Sequence, residues 1–296
     1  MLNPMTIALL GTGLLGSAIA TRLLACGHQI TVWNRNPQRC LPLEALGAQR
    51  ATSPAEAAEQ ADWLITVLSD GPSTRSVLID QVGSRLKGCR VIQVGTISPA
   101  ESQALAAAVT EQGGAYLEAP VLGSRPEALS GTLQLMAGGS QELVQAAMPL
   151  LSQLSQNPVH LGAVGSAMTA KLALNQLIAS LTHSFSLSLH LVQQAGVDVE
   201  AFMALLRNSA LYAVTFDKKL ERELSADYGN PNFPTGHLRK DLELFLSAAQ
   251  QANLNTEGLS GLMALLGRAT AAGLDDLDYC ALHELTAGRT AAGAPD

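Results

Sequence analysis

Lys171 and Asn175 stand out in the segment GSAMTAKLALNQ, residues 165–176, because the residues around them are mostly apolar. Residues four apart lie on the same face of a helix, so these two polar side chains would be neighbours. A lysine ammonium can stabilise and protonate a developing oxyanion, and an asparagine amide can orient the reacting group. The alternative is an exposed lysine on a solvated stripe, since lysine is almost never buried without compensation. The rest of the chain must decide between the two.

The segment GTGLLG, residues 11–16, has the glycine spacing of a dinucleotide-binding loop. It follows a predicted strand and opens a predicted helix. The first glycine permits a tight turn, the second lets the backbone approach a pyrophosphate, and the third lets helix and strand pack closely. The helix N-terminus offers free N–H groups to the anion. The alternative is a glycine-rich turn without a ligand. The predicted cofactor contacts in this segment are Gly11, Gly13, Leu14, Leu15 and Gly16.

The end of the second predicted strand, QITVWNR, indicates which dinucleotide binds. An acidic residue there would bind the adenosine ribose and repel a 2′-phosphate. This chain has Asn34 and Arg35 instead, so the repulsion is absent and a guanidinium can pair with the phosphate. We therefore predict NADP(H) rather than NAD(H) as the cofactor. Arg39 either joins this contact or is an idle surface arginine.

Composition limits the classes of partner and location. A chain of 296 residues with 47% apolar and 15% charged residues is long enough for two domains with large cores. Its net charge of −7 argues against a nucleic-acid partner, which requires a basic surface. Neither a signal peptide nor a membrane span is predicted, because glycines and Arg22 break the apolar run near the N-terminus. The four scattered cysteines are typical of reduced thiols in a cytoplasmic protein, and the histidines lack metal-ligand spacing, so no metal is predicted.

The order of the predicted elements changes near residue 162. Before it, short apolar runs alternate with helix-length segments, which predicts a parallel sheet covered on both faces. We assign residues 1–162 to a dinucleotide-binding domain. After it, the strand pattern stops, and we assign residues 163–296 to an all-helical domain that binds substrate and dimerises. The predicted helices are a long one from Ala163 to about Gln194, then 198–208, 210–225, 236–252, 257–272 and 276–287, with a frayed tail, AGRTAAGAPD.

Five segments in order resemble the β-hydroxyacid dehydrogenase family, which includes 3-hydroxyisobutyrate dehydrogenases and glyoxylate or succinic semialdehyde reductases. The resemblance covers nearly the whole chain. It implies an α/β Rossmann-like N-terminal domain, an all-α C-terminal domain, a catalytic site in the cleft between them, and a homodimer or homotetramer. The segments are IALLGTGLLGSAIATRLL, GTISPAESQALA, LEAPVLGSRPEALSGTLQLMAGG, GSAMTAKLALNQ and FPTGHLRKDLELFLSAA.

The resemblance also implies roles for single residues. Lys171 matches the catalytic lysine of the family, and Asn175 matches the asparagine that helps to hold the substrate. Thr96 matches the residue beside the nicotinamide; its alternative role is as the N-cap of the next helix, a position that Ser98 could fill instead.

Three residues of the second domain match positions that close the far side of the cleft and touch the nicotinamide end of the cofactor. They are Phe233, Lys240 and Asp241. Phe233 could equally be a core residue, and Asp241 could merely pair with Lys240 or Arg239 on a helix surface.

The substrate loop departs from the family. The family reads Asp-Ala-Pro-Val-Ser-Gly where this chain has a glutamate first and Leu122 in place of the serine. The leucine removes one hydrogen-bond donor, although the backbone N–H groups of Gly123 and Ser124 could still serve an anion. Ser124 could also be no more than a turn residue. The change points away from the most polar substrates of the family.

Together these features predict an NADP(H)-dependent reductase that converts a small semialdehyde or keto acid, such as succinic semialdehyde or glyoxylate, to the hydroxy acid, with Lys171 as general acid. The alternatives are a 3-hydroxyisobutyrate-type dehydrogenase running in the oxidative direction, an imine reductase, and a non-catalytic dinucleotide-binding protein. The long helix is apolar around most of its circumference, which predicts a homodimer and leaves a homotetramer open. The alternative is a helix wrapped entirely by its own domain.

Overall fold

The computed structural model describes residues 4–287 of the chain. The chain divides into two compact units, and the division lies between Leu172 and Ala173. Of the tail that is predicted to be frayed, residues 288–296 lie outside the described residues.

The first unit contains a nine-stranded sheet. Its strands are β1 (Thr6–Leu10), β2 (Gln29–Trp33), β3 (Gln49–Arg50), β4 (Trp63–Thr66), β5 (Arg90–Gln93), β6 (Ala115–Glu118), β7 (Val121–Leu122), β8 (Gln134–Gly138) and β9 (Val159–Gly162). The spatial order is β3-β2-β1-β4-β5-β6-β8-β7, with β9 paired to β8. The first six strands in this order are parallel neighbours. This is the strand order of a dinucleotide-binding sheet, and its direction of winding changes between β1 and β4.

The sheet is parallel, as predicted, except at one end. Strand β8 runs antiparallel to β6, with Glu118 opposite Gly138, and antiparallel to β7. Parallel neighbouring strands need a long crossover connection, usually a helix that packs on the sheet, because the chain must return to the opposite end of the sheet. After β7 the chain instead enters β8 from the same end of the sheet, so β8 runs antiparallel to its neighbours. Apolar patterning identified β8 as a strand but carried no information about its direction.

Helices cover both faces of this sheet. They are α1 (Leu14–Ala25), α2 (Leu41–Glu44), α3 (Pro54–Ala58), α4 (Gly71–Arg75), α5 (Pro99–Glu111), α6 (Arg125–Ser130) and α7 (Gln141–Leu154), and a π-helical segment spans Ser76–Val82. Successive residues of a strand point to opposite faces. Accordingly, Ile7 and Leu9 pack in one apolar cluster and Ala8 and Leu10 in the other, as the sequence predicted for a sheet buried on both sides.

The second unit is helical in its described part. The long helix α8 (Ser166–Gln194) begins in the first unit and continues into the second. It is followed by α9 (Val199–Arg207), α10 (Val214–Ser225), α11 (Thr235–Gln251), α12 (Ser260–Ala269) and α13 (Leu282–Thr286). None of the helices within residues 4–287 has the length and apolar character needed to cross a bilayer.

Three predicted helices of the second unit are clearly shorter than expected. The helix predicted at 257–272 is α12 at Ser260–Ala269, preceded by a 3-10 turn at Glu257–Leu259. Helix α10 begins at Val214 rather than at residue 210. The predicted helix 276–287 is interrupted because Asp278 forms an isolated bridge with Pro234 and caps a 3-10 turn. The Asp278 carboxylate also accepts hydrogen bonds from Lys219 Nζ and from the backbone N–H of Asn232. These long-range partners override the local helical pattern.

Candidate active site

The three glycines of the GTGLLG loop meet different surroundings. Gly11 has φ +105°, and a Cβ there would lie 2.3 Å from the carbonyl oxygen of Val67. A Cβ on Gly16 would lie 1.9 Å from the carbonyl oxygen of Gly11. A Cβ on Gly13 would meet nothing within 4 Å. The outer two glycines are therefore required by packing, whereas the backbone of the middle one borders open space that a ligand could approach.

The N-terminus of α1 is open in the same place. Gly13 is its N-cap, no described side chain caps it, and its first turn carries no acidic residue. The first N–H groups of a helix have no partner within the helix, and the helix dipole favours an anion there. This end of α1 follows β1, beside the point where the strand order reverses, which is where open α/β sheets bind ligands. The residues present fit the pyrophosphate of a dinucleotide.

Asn34 braces this loop. Its Oδ1 accepts a hydrogen bond from the backbone N–H of Thr12 at 3.1 Å, and its Nδ2 donates to the carbonyl oxygen of Asn36 at 3.0 Å. One amide thus ties the glycine loop to the turn that carries Arg35. Arg35 and Arg39 are both exposed, and within the described chain neither forms a salt bridge. Sequence reasoning valued Asn34 only for the missing negative charge and missed its bracing role.

Thr96 follows β5 at the same carboxyl edge of the sheet. It is half-buried. The N-cap of α5 is Ser98, whose Oγ accepts from the N–H of Glu101 while the Glu101 carboxylate accepts from the N–H of Ser98. Thr96 is therefore not the helix cap, and the alternative structural role proposed for it is taken by Ser98. Its contact with a nicotinamide ring stays a prediction.

The loop after β7 is organised by Glu127. Leu122 is half-buried, Gly123 is exposed with φ +110°, and Ser124 is the N-cap of α6. The Ser124 N–H donates to Glu127 Oε2 at 2.8 Å, and Ser124 Oγ donates to the same oxygen at 3.0 Å. Because the Ser124 backbone N–H already donates to Glu127, it is not available to bind an anion. The turn role considered for Ser124 is the one the structure displays.

Lys171 lies in the second turn of α8 and is 9% exposed. The alternative of an exposed lysine on a solvated stripe is therefore wrong.

The start of this helix contacts a buried carboxylate, Glu118, which the sequence analysis noted only as the first residue of the substrate-loop motif. Burial raises the pKa of the Glu118 carboxyl, and hydrogen bonds from Ser102 and from the α8 backbone act against that shift.

Asn175 and Asp241 form a buried pair in the second unit. Asn175 Nδ2 donates to Asp241 Oδ2 at 2.5 Å, and Lys240 Nζ lies 2.8 Å from Asp241 Oδ1. Asn175 Oδ1 is buried and has no hydrogen-bond partner among the described residues. Asn175 was predicted to act as a donor, but the structure commits one of its N–H groups to Asp241 and leaves its carbonyl oxygen available as an acceptor. Asp241 does pair with Lys240, but it also holds Asn175.

Phe233 precedes α11 in the second unit. Its ring meets that of Tyr279 edge-on, with 5.9 Å between the ring centroids, and its carbonyl oxygen accepts from the Tyr279 N–H at 2.9 Å. The side chain belongs to an apolar cluster around Leu238 and Leu242. These contacts favour the core role that the sequence left open, and its contact with substrate stays a prediction.

Comparisons with known proteins agree with this architecture. The family model for the NAD binding domain of 6-phosphogluconate dehydrogenase matches residues 6–165. The model for the NAD-binding domain of NADP-dependent 3-hydroxyisobutyrate dehydrogenase matches residues 165–286.

Individual relatives match along almost their whole length. Glyoxylate/succinic semialdehyde reductase 1 of Arabidopsis thaliana is 30% identical over 95% of this chain and 98% of the relative. The 2-hydroxy-3-oxopropionate reductase of Escherichia coli K12 is 31% identical over 94% and 96%. The crystal structure of a 3-hydroxyisobutyrate dehydrogenase from Salmonella typhimurium superposes with a TM-score of 0.85 at 26% identity, covering 95% of this chain and 99% of that one. The predicted fold is confirmed, and the chain belongs to the β-hydroxyacid dehydrogenase family of NAD(P)-dependent oxidoreductases.

Proposed function

We propose that this protein uses NADPH to reduce a small semialdehyde or keto acid, such as succinic semialdehyde or glyoxylate, to the corresponding hydroxy acid. The observation that carries the proposal is the burial of Lys171 in the same compact unit as the open N-terminus of α1. The relatives named as glyoxylate/succinic semialdehyde reductase and 2-hydroxy-3-oxopropionate reductase support the substrate class.

In this mechanism Lys171 is the general acid. NADPH, when bound, supplies the hydride that reduces the carbonyl carbon of the substrate. Lys171 Nζ stabilises the negative charge that develops on the carbonyl oxygen and donates a proton to it, which leaves a neutral amine and a hydroxyl product. Solvent then returns a proton to the amine. Oxidation of the hydroxy acid reverses these steps, with the neutral amine as the base.

Asn175 serves as an acceptor one helical turn beyond Lys171. Its buried Oδ1 is suited to receive a hydrogen bond from the substrate hydroxyl. A buried carbonyl oxygen without a partner costs free energy, and a bound donor recovers that cost. Asp241 and Lys240 position the amide so that Oδ1 remains the available atom.

The preference for NADPH rests on the turn after β2. Arg35 is exposed there, with no salt bridge inside the described chain, and no acidic residue follows the strand directly. A guanidinium pairs with a phosphate through two parallel hydrogen bonds. The Asn34 brace holds this turn against the pyrophosphate loop, so both phosphate contacts share one scaffold.

The loop around Leu122 favours substrates whose atoms next to this side chain are only weakly polar. Leu122 and Gly123 are the proposed contacts, whereas Ser124 shapes the loop through its bond to Glu127. The loop therefore presents a leucine side chain where a donor would be expected. Semialdehydes with an aliphatic stretch between their two polar ends suit such a surface.

A homodimer is part of the proposal, either alone or as half of a homotetramer. Three leucines of α8 in the second unit, Leu177, Leu187 and Leu191, are about half exposed or more, and Leu191 reaches 70%. Exposed apolar side chains along one helix are typical of a surface that binds another protein. Sedimentation at micromolar concentration should give about twice the chain mass of 30.9 kDa or a higher multiple; a monomer mass would contradict it.

Initial rates of NADPH and NADH oxidation test the proposed reaction. We expect turnover with at least one of succinic semialdehyde, glyoxylate and methylmalonate semialdehyde, and a higher kcat/KM with NADPH. A cyclic imine belongs in the same panel. Turnover of the imine alone would favour the imine reductase, tight NADPH binding without any turnover would favour the non-catalytic alternative, and activity only on 3-hydroxyisobutyrate with NAD would contradict both the substrate and the cofactor.

A further inference from the structure

Glu118 is a completely buried carboxylate at the last position of β6. Its Oε1 accepts hydrogen bonds from three backbone N–H groups at the start of α8. The distances are 2.9 Å from Gly165 N, 2.8 Å from Ala167 N and 3.1 Å from Met168 N. The carboxylate therefore fills the N-terminus of the helix that carries Lys171.

The other side of this carboxylate is also held. Ser102 Oγ, from α5, donates to Glu118 Oε2, and the same hydroxyl lies 2.9 Å from the Tyr116 hydroxyl. Gly138, opposite Glu118 in the sheet, provides the space that this side chain occupies, because a Cβ there would lie 2.5 Å from Glu118 Oε1. The glycine on β8 therefore accommodates the side chain, and Ser102 on α5 holds its second oxygen.

This attachment differs from an ordinary helix cap. A local cap comes from the residue just before the helix and moves with it. Glu118 precedes its three donors by 47 to 50 positions and belongs to the sheet. It therefore fixes the position of the first turn of α8 relative to the carboxyl edge of the strands, rather than merely satisfying the helix end.

Lys171 follows directly from that fixed turn. It is three residues after Met168, which is about 4.5 Å along the helix axis at 1.5 Å per residue. A rigid turn at this distance fixes both the height and the rotation of the lysine backbone. Reactive groups displaced by about 1 Å can lose about 100-fold in rate, so such a clamp affects chemistry without touching the substrate.

We propose that Glu118 is a positioning residue that places Lys171 for proton transfer by clamping the first turn of α8 to the end of β6. The inference rests on the proposed function of Lys171. It does not make Glu118 a proton donor, because its two oxygens are engaged by α8 and by Ser102.

Two variants of Glu118 separate distance from charge. Glu118→Asp keeps the charge but shortens the side chain by one methylene, so its oxygen no longer reaches all three N–H groups. We expect kcat to fall about 10-fold to 100-fold, as for a small misplacement of the acid, with an unchanged Kd for NADPH. Glu118→Gln keeps the length and can turn its oxygen toward α8 and its amide toward the Ser102 hydroxyl. We expect it to retain kcat within about threefold of wild type, since this geometry is preserved.

A double-mutant comparison distinguishes positioning from general damage. In a Lys171→Met background, adding Glu118→Asp should change the residual rate less than about twofold, because the two residues act through one step. Glu223→Asp is the matched control, since Glu223 in α10 is also buried, at 4% exposure. It should leave kcat at the wild-type value. An equal loss from Glu118→Asp with and without Lys171, or a loss that appears in NADPH affinity, would overturn the proposal.

Amide hydrogen exchange separates failure of the clamp from failure of the proposed function. Glu118→Asp should accelerate exchange at Ala167 and Met168 at least about tenfold, which corresponds to about 1.4 kcal/mol, while Glu223→Asp should not. Lack of turnover in the wild-type protein would overturn the proposed function. Unchanged exchange at those two amides would overturn the clamp, whatever the activity.

Discussion

Helices α1 and α8 begin in the same compact unit, yet their N-termini are treated in opposite ways. The N-terminus of α1 begins at a glycine, and no described side chain caps it. The N-terminus of α8 is filled by the buried carboxylate of Glu118, which accepts three backbone N–H groups. Both ends present the same donors and the same positive end of a helix dipole.

The difference shows how one physical device serves two purposes. Where the protein leaves the donors of a helix end open beside a ligand crevice, an anion from solution can complete them. Where it supplies its own carboxylate, the helix end becomes an anchor. In this chain the open end fits the phosphates of the cofactor, and the filled end carries the proposed acid, Lys171.

Filling the open end should have the largest effect on cofactor binding. Gly13 has φ −70° and open space beside its Cα, so an aspartate fits there without strain. In Gly13→Asp the new carboxylate would cap α1 and repel the pyrophosphate. We expect the Kd for NADPH to rise at least about 100-fold, or about 2.7 kcal/mol, since a like charge in an anion site costs several kcal/mol. Fluorescence titration measures it.

Gly13→Asn is the control for that variant. Its side chain has the same size and can also cap the helix, but it carries no charge. It should bind NADPH much more tightly than Gly13→Asp. Equal affinities for the two variants would mean that the open end of α1 does not hold an anion.

Emptying the filled end should destabilise the protein. In Glu118→Ala three buried N–H groups lose their acceptor, which at about 1–3 kcal/mol for each group amounts to at least about 3 kcal/mol. The variant also no longer has to bury a carboxylate, which offsets part of this loss, so we expect a net loss of about 2 kcal/mol in the free energy of unfolding. Urea unfolding measures the loss. A variant as stable as the wild type would show that water or a local cap replaces Glu118 at no cost.

Removing Arg35 should weaken the contact with the 2′-phosphate of NADPH and leave the contact with the pyrophosphate unchanged. We expect Arg35→Ala to weaken NADPH binding about tenfold, as for one charged hydrogen bond worth about 1.5 kcal/mol, and to leave NADH binding unchanged. Arg39→Ala tests whether the second exposed arginine contributes. An equal loss for NADPH and NADH would place Arg35 away from the 2′-phosphate.

The smallest expected effect is a pH dependence of stability from the filled end. Burial raises the pKa of the Glu118 carboxyl above its ordinary value of 4.5. This carboxyl group therefore stays protonated to a higher pH in the folded protein than in the unfolded chain. Its contribution to stability is complete below pH 4.5 and is lost as the pH rises through the folded pKa. Glu118→Gln does not titrate. The stability of the wild type relative to Glu118→Gln should therefore decrease with rising pH in the acid range, and a parallel pH profile for the two proteins would contradict this assignment.

The sequence predicted those parts of the fold that depend on local pattern. The alternation of strands and helices, the loop GTGLLG and the long helix all follow from spacing of two or three to four residues, and the structure contains them. The direction of β8 and the break near Asp278 depend on partners distant in sequence. The local sequence pattern does not show which distant residues will pair. For this reason the direction of β8 and the continuity of the helix near Asp278 were predicted wrongly.

The candidate site divides along the same line. Residue type alone identified Lys171 and the glycines as candidates. Few side chains other than lysine can supply a proton in this role, and only glycine lets the backbone approach a ligand so closely. The roles of Glu118 and of the Asn175–Asp241 pair arise from hydrogen bonds that span 47 to 66 positions. One signal was present, since an acidic residue at the end of the apolar strand AYLE needs a buried partner. That signal predicts a partner but not which one.

Single-turnover reduction of succinic semialdehyde by wild type and Lys171→Met, with enzyme-bound NADPH, tests the central claim most directly. We expect the variant to bind NADPH with unchanged Kd and to transfer hydride about 1,000-fold more slowly, within the range that a general acid contributes. A rate in Lys171→Met within tenfold of the wild-type rate would contradict the assignment of Lys171 as the acid.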